Sequence, residues 1–175
     1  MNVERPHNLP TEAEDCYTEC VIDDLDVRIL ELLAEAPRIG VLETSRRLGV
    51  ARGTVQARLD RLEKQGVITS FAPSVAPSAL GFEVTAFVTL EIRQDEGHDA
   101  VAAHLAGIPE VLEAHTVTGT ADLFLRVVAR SNADLQRVID RIVAVPAIER
   151  SASVIALKTQ IPYRVMPLIR ASTAP

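Results

Sequence analysis

The chain has no tryptophan and only six aromatic residues among 175. Any core must therefore be assembled from Val, Leu, Ile and Ala, and a hydrophobic content of 47% supplies enough of them. No apolar run approaches the roughly 20 residues that a membrane helix needs. The opening MNVERPHNLPTEAED lacks the basic-then-apolar order of a secretory leader. The expectation is a soluble, cytoplasmic protein with no membrane partner. Cysteine is scarce too: Cys16 and Cys20 stand alone, which excludes a disulfide framework. With His7 they offer three ligands where a structural zinc site wants four, so they are read as free thiols and no metal site is expected. Catalytic patterns are missing as well. His98 and His104 lie six apart on one predicted helix, His115 sits on a strand, and no nucleophile–base pair or phosphate loop accompanies them. The chain reads as a non-enzyme without a cofactor.

What is present is a sharply uneven charge. The total of 18 basic and 24 acidic residues gives −6, yet residues 1–24 alone account for −6. Residues 25–70 carry +2 and residues 71–175 carry −2. Within 38–64 seven basic residues face three acidic ones. Local field rather than total charge governs phosphate contact, so this stretch suits a polyanion.

The same stretch, RIGVLETSRRLGVARGTVQARLDRLEKQGVI, has helix-turn-helix spacing. Ser45 is small where two helices approach, Gly49 suits a turn with positive φ, and Val55 fills the crossing. Three helices are predicted, over 23–36, 41–48 and 52–65. The first carries the stripe Leu25, Ile29, Leu32 and Leu33, with Asp23 or Asp24 as cap and Pro37 as stop. The third buries Val55, Leu59 and Leu62 and ends at Gly66. Its other face offers Arg52, Thr54 and Gln56 to base edges and Ala57 to a thymine methyl. Arg46, Arg47, Arg58, Arg61 and Lys64 fall where phosphates would lie. Arg58, Arg61 and Lys64 equally suit a solvated face paired with Asp60 and Glu63. Gly53 either lets the backbone approach the duplex or reflects a tolerant first turn, and Ala51 stands where a capping Ser is expected.

Beyond the third helix the period changes. Val67 to Phe71 reads as a short strand, and the Pro- and Gly-containing stretch after it as a hinge. Strands are predicted over 84–92, 110–118, 122–129 and 148–158, with helices over 97–107 and 132–144. The order βαββαβ is the ferredoxin-like pattern, a four-stranded antiparallel sheet with both helices on one face. The other face keeps apolar residues in strands one and three, so a second copy is expected to cover it. The fold class is α+β, divided into an acidic, disordered tail (1–20), a winged-type helix-turn-helix domain (21–68), a hinge (69–82), a ferredoxin-like domain (83–160) and a C-terminal tail (161–175).

Leu25-Asp26-x2-Ile29-Leu30, Arg38-Ile39, Arg58-x2-Arg61-Leu62-Glu63, Gly66-Val67-Ile68, Leu80-Gly81 and Thr118-Gly119-Thr120-Ala121-Asp122-Leu123 occur in this order. In order and spacing the chain resembles the Lrp/AsnC (feast/famine) transcriptional regulators over about residues 22–160. It departs from them at Thr44-Ser45, where Leu-Ala is usual, and at Ala51. The resemblance implies a transcription regulator that binds double-stranded DNA, responds to a small effector, usually an amino acid, and assembles as homodimers into tetramers or octamers. It assigns the effector to Thr118, Gly119, Thr120, Ala121 and Asp122. There Gly119 would let the loop close on the ligand, loop N–H groups would meet an α-carboxylate, and Asp122 would meet an α-ammonium. Ala121 replaces a frequent aromatic, which would enlarge the pocket. A Gly-x-x-Asp turn is also ordinary hairpin chemistry, with Asp capping its own turn. An architectural DNA binder indifferent to small molecules is the alternative function.

Overall fold

The structure, a computed structural model, describes residues 22–93 and 98–172. The expected acidic tail, with His7, Cys16 and Cys20, lies outside the described residues, as does Gly97. The chain divides into two units, one of residues 1–72 with 163–175 and one of residues 73–162.

The first unit contains α1 (Asp24–Glu35), α2 (Val41–Leu48), α3 (Arg52–Lys64) and α6 (Met166–Ser172). A capping box starts α1: Asp23 Oδ1 accepts from the N–H groups of Leu25 and Asp26, both at 3.0 Å, and Asp26 Oδ2 accepts from Asp23 N–H at 3.2 Å. Gly49 closes α2 in the left-handed region at φ 68°, where a Cβ would be strained. Ile29, Val55 and Leu59 form the buried centre, with Leu25, Leu33, Val41, Leu48, Val50 and Ile68 packed around it. Thr44 and Ser45 are buried beside this small core without an unmet hydroxyl. Thr44 Oγ1 donates to Gly40 O at 3.1 Å and Ser45 Oγ to Leu42 O at 2.8 Å. That is how the head accommodates polar residues where Leu-Ala was usual.

Two sequence expectations change here. Val67–Phe71 is not a strand. The N–H groups of Val67 and Ile68 turn back onto Leu62 O at 2.9 and 3.1 Å to finish α3, and among the described residues this unit holds no strand. The expected C-terminal tail, in turn, contains α6. It packs on α1, where Arg170 Nε donates to Glu31 Oε1 at 2.6 Å.

The second unit holds β1 (Val84–Ile92), α4 (His98–Ala106), β2 (Val111–Thr116), β3 (Leu123–Ala129), α5 (Asn132–Ile142) and β4 (Ile148–Ile155), preceded by a 3-10 turn at Pro77–Leu80. The sheet order is β2-β3-β1-β4, with all neighbours antiparallel. Ala86, Val88, Leu90 and Ile92 of β1 and Leu123, Leu125, Val127 and Ala129 of β3 point to one face. They are sealed there by Val101 and Leu105 of α4 and by Leu135, Val138 and Ile142 of α5. This is the βαββαβ architecture that the periodicity predicts. Strand β4 is shorter than expected and ends at Ile155. Ala156 N–H still reaches Thr85 O at 2.9 Å, and Leu157 beyond it is 97% exposed.

The opposite sheet face carries Phe87 and Phe124, stacked with centroids 5.5 Å apart. Val154, paired with Phe87 and 67% exposed, lies beside them. Ion pairs fringe this apolar strip: Arg126–Glu113 at 3.0 Å and Arg150–Glu91 at 3.5 Å.

Candidate nucleic-acid interface and effector loop

Helix α3 has two distinct ends. At its start Arg52, Gly53, Thr54, Gln56 and Ala57 are all exposed. Ala51, the N-cap residue, gives the first amides of α3 no side-chain acceptor, a favourable setting for an anion. Arg52 has no ion-pair partner among the described residues. Gln56 Nε2 donates to Asp60 Oδ1 at 2.7 Å along the helix, a bond that holds the amide extended and that solvent or a base edge can replace. On α2, Arg46 and Arg47 are exposed and share Glu43, at 3.9 and 3.2 Å. Such exposed pairs contribute about 0–1 kcal/mol and release easily.

The later turns of α3 behave differently. Arg58 and Arg61, expected to hold phosphates, turn back onto α1. Arg58 Nη1 donates to Asp23 Oδ2 and, at 3.3 Å, to both oxygens of Asp26, while Arg61 Nη2 donates to Asp26 Oδ2. Their side chains are 28% and 38% exposed, and Asp26 is fully buried at 0%. The partners are thus on another helix, not Asp60 and Glu63 of the same one. A buried carboxylate tolerates its charge only while paired, and stripping its partners costs about 3–5 kcal/mol. Arg58 beside Asp23 holds that carboxyl below its usual range, and Asp23 raises Arg58 in return. Arg61 Nε is buried with no partner among the described residues, a desolvation cost that its Nη2 bond to Asp26 must offset.

This cluster escaped the periodicity argument, which places Leu25, Ile29, Leu32 and Leu33 inward. In the structure Asp26, Val27 and Leu30 are buried with Ile29, while Leu25, Leu32 and Leu33 are half-buried. A signal was nonetheless present. Two acids three apart on α1, Asp23 and Asp26, match two arginines three apart on α3, Arg58 and Arg61.

In the second unit the loop between β2 and β3 brings the five expected effector residues together. Thr118, Gly119 and Thr120 are exposed, and Ala121 and Asp122 are half-buried. Gly119 has φ 124°, a region that only glycine adopts freely. Val117 N–H donates to Asp122 O at 3.0 Å and Asp122 N–H to Leu90 O at 2.9 Å, closing the loop against the end of β1. Asp122 Oδ2 accepts from Ile92 N–H at 2.8 Å. The carboxylate therefore bonds the end of β1 and not its own turn, where the hairpin alternative put it. His104 and His115 have ordinary surroundings: Nε2 of His104 lies 2.9 Å from Arg141 O, and His115 is exposed 3.6 Å from Glu113. Among the described residues no group of His, Cys, Asp and Glu could hold a metal, and no helix is long and apolar enough to cross a membrane.

A helix-turn-helix unit with an exposed basic face and a βαββαβ unit thus share one chain. Comparisons with known proteins match both parts. Residues 22–69 fit a winged helix-turn-helix DNA-binding family and residues 85–166 the Lrp/AsnC ligand binding domain. The regulatory protein AsnC of Escherichia coli (strain K12) is 31% identical over 148 residues, covering 84% of this chain and 97% of AsnC. The solved structure of E. coli AsnC matches with a TM-score of 0.77 at 30% identity, covering 84% of this chain and 99% of that one. A feast or famine regulatory protein from M. tuberculosis, complexed with L-methionine, matches with a TM-score of 0.71 at 30% identity over 81% of this chain and 95% of that one. The chain belongs to the Lrp/AsnC family of transcriptional regulators and, like its relatives, is a DNA-binding protein and not an enzyme.

Proposed function

We propose that the protein is a sequence-specific regulator that binds double-stranded DNA and acts in the cytoplasm. Its DNA binding or assembly responds to an amino acid held near Thr118–Asp122. The exposed leading turn of α3 carries the reading: Arg52, Thr54 and Gln56 suit base edges, Gly53 and Ala57 allow close approach, and Arg46 and Arg47 suit phosphates. The apolar strip of Phe87, Phe124 and Val154 supports a homodimer through stacked sheets, from which tetramers or octamers assemble. The L-methionine bound by the M. tuberculosis relative makes that amino acid the first to try. The small side chain of Ala121 favours a bulky effector over glycine or alanine.

The test begins with a duplex selected from a random pool by the purified protein. Arg52→Ala is expected to relax sequence preference, costing about 1–3 kcal/mol at the selected site. Arg47→Ala is expected to weaken binding to every duplex and to flatten its salt dependence. No effect of Arg52→Ala on any affinity sinks the assignment of α3. Calorimetry with the twenty amino acids tests the effector, and binding of glycine or alanine alone ends the bulky-effector reading. The alternative, an architectural protein that wraps or bridges DNA without an effector, is favoured by the bond between Asp122 and Ile92. Gel shifts unchanged by any amino acid would establish it.

A further inference from the structure

We infer that Asp23, Asp26, Arg58 and Arg61 are positioning residues that set α3 against α1, and that neither arginine is a phosphate contact. The inference rests on the DNA-binding reading and refines it. Two carboxylates and two guanidiniums sit together, so the cluster is neutral and adds little to the field that attracts DNA. Three of its geometric features point the same way. Arg58 bridges two carboxylates at once, a task for a planar fork with several donors. Asp26 is fully buried, so an arginine that swung out to a phosphate would remove one of the two guanidiniums that hold its charge there. Asp23 and Asp26 are also the two halves of the α1 capping box, so the bonds that start α1 also fix the azimuth of α3.

The consequence runs against simple electrostatics. Removing an acid from a DNA-binding surface ordinarily tightens binding to any duplex. Asp26→Asn should instead lower the preference for the selected duplex over a random one by about tenfold, the scale of losing one base contact. Arg58→Gln should lower the same preference while leaving the slope of log affinity against log salt at the wild-type value. A lost phosphate contact would flatten that slope by about one contact's worth.

The experiment measures both duplexes across a salt series with the full chain, on variants whose helical circular dichroism matches wild type. Arg58→Lys carries the test if Asp26→Asn does not fold. The lysine keeps the charge a phosphate would need but cannot span two carboxylates, so it should retain the slope and lose the preference. Tighter binding by Asp26→Asn, a flattened slope in Arg58→Gln, or wild-type behaviour of Arg58→Lys would each overturn the inference. A purely stabilising role would lower the melting temperature and leave the preference untouched, which also overturns it. A wild-type chain that ignores duplexes at every salt concentration defeats the DNA-binding reading itself, a result visible before any variant is compared.

Discussion

The two units solve the same problem with different means. The sheet unit buries a broad aliphatic core, in which Leu90, Leu125 and Ile142 are wholly inaccessible. Among the described residues the head buries fewer aliphatic side chains, Val27, Ile29, Leu30, Val55, Leu59 and Leu62, and with them Asp26, Thr44 and Ser45. Apolar packing is strong but indifferent to rotation, because one well-filled contact is nearly as good as another. Ion pairs and hydrogen bonds have fixed lengths and directions. A unit that must present one helix at a defined angle gains from polar ties. A unit whose duty is to hold a sheet together gains from aliphatic bulk.

Three measurements would break or sharpen this contrast. The largest effect belongs to the sheet core. Leu125→Ala is expected to cost about 2–5 kcal/mol and, in chemical denaturation, to move the transition of the sheet unit while that of the head stays in place. Equal shifts in both transitions would show that the units do not unfold independently. Next comes the open sheet face. Phe87→Asp places a charge in the strip that a second copy is proposed to cover, and should shift the dimer toward monomer in analytical ultracentrifugation by about a hundredfold in dissociation constant. An unchanged sedimentation profile would move the interface elsewhere.

The smallest effect is electrostatic and confined to the head. Asp23 titrates below its ordinary value of 3.8 in the folded chain, chiefly because Arg58 bonds it. A depressed carboxylate contributes stability above its unfolded value, and that contribution fades as pH falls through the folded one. The head should therefore lose part of its stability below about pH 4. Asp23→Asn should flatten that acid limb and leave the sheet unit's profile alone. Because Asp23 is partly exposed, solvent keeps the effect small. Identical acid limbs in variant and parent would remove Asp23 from the account.

Elements with a one-sided pattern were the most legible from sequence. Strand β1 occupies its expected span, Val84–Ile92, because Ala86, Val88, Leu90 and Ile92 alternate cleanly toward the helices. Helix α2 also does, since Gly49 punctuates it. Periodicity failed where the deciding partner lay far along the chain. Val67–Phe71 has strand-like residues but meets no strand among the described residues. Helix α6 is short, and its support comes from α1, more than a hundred residues earlier. The arginines at 58 and 61 looked like any exposed basic face until Asp26 proved buried. The loop residues 118–122 are consecutive and need no fold to meet, whereas the bond from Ile92 to Asp122 depends on strand geometry that no local pattern encodes.

Helix α6 gives the head an unusual birth order. Its first three helices leave the ribosome early, whereas the piece that packs on α1 is translated only after every strand of the neighbouring sheet. Until then α1 waits with one flank bare. A product stalled or clipped before residue 163 would keep the whole βαββαβ unit and still carry a head without its last buttress.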